Sequence, residues 1–310
     1  MFYCLFIIIL HNIYLLLFYN NVNLINGLNK TVYKYILKEE QTPSVEHSIN
    51  VYKMGNKQSK NVIIFLSGAF SVSFDTYVQK MVTNLLAIDY IKNTYQLIVF
   101  EKLDKQTFIS VKDFETTILT LNDEINIEEL TLFGFSTGGV VASHIMASLK
   151  SLKCRKKIIT YDTPYQVLDN VLSFEKNTFY RPDYYFYYLI HKTYLHHYNY
   201  EDIKHFVKYD KWSNGAADFL QMIFKIHNLT ENEFYKLSGF KFEQDKEVKI
   251  IQIYCKYDPI VNRTITDAYI KDNINSVTNM THDCKKCIGH CSDMWSSGFD
   301  IISIINHIRS

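Results

Sequence analysis

Glycine and proline are scarce in this chain, at 10 and 4 of 310 residues. That excludes collagen-like and glycine-rich linker architectures and makes the place of each glycine informative. An excess of charge of either sign is also lacking. Lys and Arg number 33 against 32 Asp and Glu, a net charge of +1. Nothing global therefore points to nucleic acid or to a strongly acidic partner. The six cysteines are too sparse to form a disulfide framework in a chain of this length. Apolar residues, by contrast, make up 47% of the chain, enough for a sizeable core in one large domain or one domain with an insertion. The 24 Tyr and 21 Phe are spread along the whole sequence, so aromatic richness alone is no guide to function.

Met1 to Phe18 is almost wholly apolar, broken only by His11 and Asn12. Its length fits a secretory signal or a short membrane anchor. No Lys or Arg precedes it, and no small-residue cleavage pattern follows. Lys30, Lys34 and Lys38 come after it, which favours a cytosolic body behind an anchor. Four Asn-x-Ser/Thr triplets, at Asn29, Asn228, Asn262 and Asn279, point instead to a lumenal side. Residues 1–27 are thus read as a signal or anchor segment and 28–310 as the folded domain. The expected location is membrane-associated or in the secretory pathway.

Within the domain, buried-strand runs alternate with helical stripes. Strand character appears at Thr31–Leu37, His47–Met54, Asn61–Leu66, Tyr95–Phe100, Leu130–Phe133 and Lys157–Tyr161. Between them, Phe74–Lys92 carries the stripe Tyr77, Met81, Leu85, Ile88, Ile91, and Val111–Ile125 carries Val111, Phe114, Ile118, Leu121, Ile125. A third helix is expected from Thr137 to Leu152. This alternation implies an α/β fold: a mostly parallel sheet with helices on both faces. The rhythm stops between about 166 and 246, too long a stretch for a plain loop, and is read as an inserted helical cap. It resumes with a strand at Val248–Tyr254, a helix near Thr264–Lys271, a short strand near Asn275–Met280 and a terminal helix from Trp295 to Ile308.

One stretch carries chemistry. Leu130–Phe133 stops at Gly134, Ser136 follows, then Gly138, and a helical pattern begins. Strand, sharp turn and helix with a serine at the tip is the context that gives G-x-S-x-G meaning. Side chains at the two glycine positions would collide as strand and helix pass. A serine nucleophile needs a base, and the base an orienting acid. In chain order, Asp258 follows the 248–254 strand and His290 lies in the loop after the last strand. Both are expected at the carboxyl edge of the sheet, with Ser136. Asp162, at the end of the preceding strand, is the rival acid, and His282 the rival base.

Leu66-Ser-Gly-Ala69 after a core strand, Gly-Phe-Ser136-Thr-Gly-Gly, Tyr-Asp258-Pro-Ile-Val and Gly-His290 occur in the order seen in the α/β-hydrolase fold family, which the chain resembles from about residue 45 to its end. Ser67 stands where that family's loop usually has His. The resemblance implies Ser136 as nucleophile, His290 as base and Asp258 as acid, with the N–H groups of Ala69 and Thr137 as oxyanion donors. It implies a serine hydrolase of esterase, lipase or thioesterase type with no cofactor and no metal. Its substrate would be a small acyl compound, lipid among the candidates, with membrane association through the N-terminal segment. Peptidase or amidase activity on the same fold, or a silent binding protein, are the other readings. Cys284, Cys287 and Cys291 have the spacing of a local disulfide in an oxidising compartment rather than of a zinc site, which would want a second pair.

Overall fold

The structure is a computed structural model that describes residues 30–37, 45–68, 76–102, 111–173, 224, 229–241, 248–255, 258, 261–273, 277–282 and 301–309. Their elements in chain order are β1 Lys30–Leu37, β2 Val45–Gly55, β3 Asn61–Leu66, α1 Thr76–Leu86, α2 Asp89–Thr94, β4 Gln96–Lys102, α3 Val111–Ile125 and β5 Glu129–Phe135. There follow α4 Thr137–Ser148, β6 Arg155–Tyr161, α5 Val167–Ser173, α6 Glu231–Ser238, β7 Val248–Cys255, α7 Arg263–Asn273, β8 Val277–His282 and α8 Ile301–Arg309.

The strands form one eight-stranded sheet in the order β1-β2-β4-β3-β5-β6-β7-β8. β2 runs antiparallel to both its neighbours, and every pair from β4 to β8 is parallel. The expectation of a mostly parallel α/β sheet therefore holds. Parallel strands must be covered on both faces, and the residues alternate accordingly. Ile63, Phe65, Phe133, Ile159 and Ile251 face one core with α1, α2 and α8. Val62, Ile64, Leu132, Ile158 and Ile250 face the other with α3 and α4.

Two expected helices differ in extent. Phe74–Lys92 is two helices, broken at Ile88, whose φ of −103° and ψ of 112° are extended. Asp89 restarts the helix with an acid in the first turn, where the helix dipole favours it. The helix after Ser136 ends at Ser148, with Leu149 as its C-cap. The extra residues to Leu152 instead form the turn into β6, Leu152 N–H donating to Leu149 O.

The amino edge of the sheet holds a partly buried charge cluster. Glu129 accepts Arg155 at 2.9 Å and lies 3.7 Å from Lys157 Nζ. Lys157 also donates to Ile308 O, the last turn of α8. Burial pulls the Lys157 ammonium below its ordinary value, with Glu129 opposing that shift. Arg309 stacks 3.8 Å above the Tyr90 ring of α2. α8 is thus pinned at its C-terminal end to the amino edge, and its other end runs back along the sheet face.

Most of the stretch 166–246, where a helical cap is expected, lies outside the described residues. Its described flanks are stitched to the body. Gln166 bridges Gly239, Phe240 N–H donates to Tyr165 O, and the Tyr165 and Phe240 rings stack at 4.5 Å. Thr230 caps α6 with Glu233 in a reciprocal capping box, as the Thr-x-x-Glu sequence dictates. The N-terminal segment 1–27 also lies outside the described residues. Among the described residues no helix is long and apolar enough to cross a membrane.

Gln252, in the middle of β7, is fully buried, and neither end of its amide has a hydrogen-bond partner among the described residues. An unpaired buried amide costs about 1–3 kcal/mol, so Gln252→Leu should be stabilising by roughly 1–2 kcal/mol. Thermal unfolding should then shift upward by about 2–6 °C. A lower Tm for the variant would show that the amide has a partner.

Candidate active site

β5 delivers Ser136 to the carboxyl edge of the sheet. The residue has φ 50° and ψ −131°, a left-handed conformation that is strained for a side chain larger than glycine. Ser136 N–H donates to Tyr161 O at 2.9 Å, tying the turn to β6, and Gly139 N–H returns to Ser136 O at 3.0 Å to open α4. The strain is held by the packing around it. A Cβ at Gly134 would strike the backbone of Gly138 and Gly139, and one at Gly138 would strike Leu66 O. The two glycines flanking the serine thus serve different contacts: the first lets α4 cross its own strand, the second lets it cross β3.

Two contacts were not legible in the sequence. A Cβ at Gly68 would lie 2.9 Å from Ser136 Cβ and 3.4 Å from its Oγ, so the loop after β3 is pressed against the nucleophile candidate. A Cβ at Gly139 would strike the Thr163 side chain. The doubled glycine of Gly138-Gly139 was the only sequence signal for the second.

Thr137 is the first residue of α4, so its amide precedes the first helical bond, where helix N–H groups point outward. Ala69 lies outside the described residues. Gly68, immediately before it, is placed beside Ser136.

The acids sit on successive strands. Asp162 follows β6 and donates its N–H to Ile253 O of β7. It is fully buried, with φ 45°. Asp258 lies three residues past the end of β7, half-buried, and its Oδ1 accepts Val261 N–H at 2.9 Å. That bond fixes the turn leading into α7. His282 is the last residue of β8, not a loop residue, and pairs in register with Cys255.

His290, with Cys284, Cys287 and Cys291, lies outside the described residues. The described elements on either side of it in sequence are β8, which ends at the carboxyl edge, and α8, whose C-terminal end is pinned at the amino edge. Ser136, Asp162 and Asp258 therefore follow three neighbouring parallel strands, β5 to β7, on one edge, and β8, the next strand, ends on the same edge. Among the described residues, no group of His, Cys, Asp or Glu is arranged to hold a metal ion.

His144, eight residues into the helix from Ser136, is a second histidine that the sequence reading passed over. It is buried, and its Nε2 lies 2.9 Å from Gly239 O. The adjacent Ser143 Oγ accepts Lys241 N–H at 2.8 Å. The helix that begins at the nucleophile candidate thus holds the segment Gly239–Lys241 that leads back toward β7. A lone histidine among the apolar residues of Val140–Ala147 was its one signal.

These features define a class: a sheet with β2 reversed, a strand-serine-helix elbow on its carboxyl edge, and a long insertion between β6 and β7. This is the α/β-hydrolase fold, and the chain has it. No family model matches the sequence, and no curated protein does. Solved structures do match. The esterase Pf2001 of Pyrococcus furiosus is 15% identical with a TM-score of 0.55, covering 91% of this chain and 90% of its own. VinJ is 13% identical with a TM-score of 0.52, covering 89% and 98%. An epoxide hydrolase of the α/β-hydrolase superfamily, from hot-environment metagenomes, is 14% identical with a TM-score of 0.51, covering 90% and 99%.

Burial holds the His144 pKa below its ordinary 6.5, opposed by the Gly239 bond and aided by Lys241. Burial also lowers His307 in α8, with Lys249 and Lys157 adding to it. A histidine kept neutral in the fold binds fewer protons than in the unfolded chain once pH falls below about 6.5. Stability should be full above that pH and decline as pH falls through the lower, folded values. His144→Gln, which keeps a donor for Gly239, should flatten the fall in Tm between pH 7.5 and 5. An unchanged slope would remove His144 from that account.

Proposed function

We propose that the chain is a serine hydrolase acting on a carboxylic ester or thioester. The observation that carries this reading is Ser136 itself: a serine in a left-handed conformation at a strand-to-helix elbow. It stands on the carboxyl edge, with a loop backbone pressed against it. Strain of this kind is kept where packing enforces it, and functional sites are where it concentrates. The esterase and the epoxide hydrolase among the fold's solved neighbours support hydrolysis as the reaction type.

In the proposed mechanism His290 takes the hydroxyl proton as Ser136 Oγ attacks the substrate carbonyl. Asp258 accepts from the imidazole, holding its tautomer and stabilising the imidazolium. The N–H groups of Ala69 and Thr137 donate to the oxyanion. Collapse expels the alcohol or thiol, which receives the proton from His290, and leaves an acyl-serine. Water, deprotonated by the same histidine, then attacks the acyl-serine and releases the acid. No cofactor or metal enters these steps. The substrate is a small acyl compound with an apolar portion, lipid included. The apolar run at Met1–Phe18 associates the protein with a membrane or directs it into the secretory pathway.

Asp162 gives a second reading of the acid. It is fully buried and strained, one strand from the elbow, whereas Asp258 is half-buried. Asp258→Asn and Asp162→Asn separate the two, because loss of the orienting carboxylate should cost kcat far more than KM.

Ser136→Ala should lower kcat/KM toward a short acyl ester by roughly 10⁴-fold or more. It should also abolish labelling by a fluorophosphonate probe. His290→Ala should match it, with His282→Ala close to wild type. Undiminished hydrolysis in Ser136→Ala would sink the serine mechanism, and a well-folded wild type that takes no label would favour the binding-protein reading.

A further inference from the structure

The edge of the sheet opposite Ser136 is basic. From the turn after α4 into the start of β6, Lys150, Lys153, Arg155, Lys156 and Lys157 fall within eight residues that contain no acid. Lys150, Lys153 and Arg155 are exposed and Lys156 is half-buried. The neighbouring turn between β2 and β3 exposes Lys57 and Lys60. Backbone hydrogen bonds join the two turns: Glu128 N–H donates to Lys60 O, and Arg155 N–H donates to Glu128 O. Glu128 pairs with Lys60, and Glu129 with Arg155. No acidic partner of Lys57, Lys150, Lys153 or Lys156 is found among the described residues. Cations at a helix C-terminus also complement the helix dipole, which accounts for Lys150 but not for the residues beyond the turn.

The topology adds an independent fact. Gly55 at the end of β2 pairs with Gln96 at the start of β4, and Lys30 at the start of β1 pairs with Tyr52. β1 therefore begins at the same basic edge. Residues 19–29 separate Lys30 from the apolar run Met1–Phe18. The apolar run thus precedes a strand that starts on the same edge as these lysines, five strands across the sheet from β6, and an apolar segment together with a basic surface is the pairing of signals that gives firm attachment to an anionic bilayer.

We propose that this basic edge is a membrane-facing surface that seats on anionic lipid, with Lys57, Lys150, Lys153 and Lys156 at the contact. The carboxyl edge, roughly 20 Å away across the seven residues of β5, then opens to water. This does not rest on the reaction proposed above.

The test uses the full-length chain in vesicles of phosphatidylcholine alone and of phosphatidylcholine with phosphatidylglycerol, at about 0.1 M salt. An amine-reactive label followed by peptide mapping reads the exposure of each lysine. Lys57, Lys150, Lys153 and Lys156 should label several-fold more slowly in the anionic vesicles. Lys112, at the start of α3 on the other edge, should label equally in both. In K150E/K153E/K156E the protection of Lys57 should disappear. Hydrolysis of a short soluble ester by that variant, set beside that of the wild type, reports separately on the fold and on the proposed reaction. Equal labelling of the basic lysines in both vesicles would overturn the proposal, as would protection of Lys112 in their place. Protection by a soluble acidic polypeptide but not by anionic vesicles would also overturn it, in favour of a protein partner.

Discussion

The close crossing of α4 over β5 and β3 is the constraint on which the rest of the structure depends. Three backbones meet there with no room for a side chain at Gly134 or Gly138. Because the helix cannot move away, Ser136 stays in its left-handed conformation, and its N–H is directed onto Tyr161 O of the next strand. The strain at the turn is small against the burial that encloses it. Phe133, Phe135 and Tyr161, all fully buried, pack in a row beneath the elbow, the first two stacked with ring centroids 4.9 Å apart and the last two tilted at 5.8 Å. Dense aromatic packing of this kind resists the shift that would relax the serine.

The same crossing distributes position to its neighbours. Thr163 is held against Gly139, so the chain leaving β6 is fixed relative to the helix. Ser143 and His144, farther along that helix, hold the returning flank at Gly239 and Lys241. Asn170 in α5 accepts Asn262 N–H at 2.7 Å, which ties the first flank to the turn carrying Asp258. The elbow, the acid-bearing turn and both ends of the insertion thus form one hydrogen-bonded frame around the carboxyl edge.

Much of this was legible in the sequence because it follows from period and punctuation. Asn61–Leu66 and Val111–Ile125 have the extents their apolar patterns predict. Gly134, Ser136 and Gly138 announce the elbow because the geometry tolerates few other residues. What was not legible depends on tertiary contact. Gly68 looks like an ordinary loop glycine until Ser136 is placed against it. The break at Ile88 is invisible in a stripe that continues past it, since Ile88 and Ile91 both still reach the core. Asp162 and Asp258 both follow strands and both stand just before a proline, so sequence pattern separates them only through turn chemistry and resemblance. Burial and backbone conformation are what distinguish them.

β6 and β7 are adjacent and paired in register from Lys156↔Val248 to Tyr161↔Ile253, yet residues 162–247 separate them in sequence. Neighbouring strands lie about 4.8 Å apart. The long insertion therefore leaves and re-enters the body through a single gap, and the Gln166–Gly239 bridge closes that gap at its base. To the sheet, the insertion is a bulge on one connection. Lengthening or replacing it would raise the entropy of closing that connection only slowly, as the logarithm of its length. The insertion can thus diverge almost freely in sequence, while the frame at its base is held to the few residues its close contacts allow.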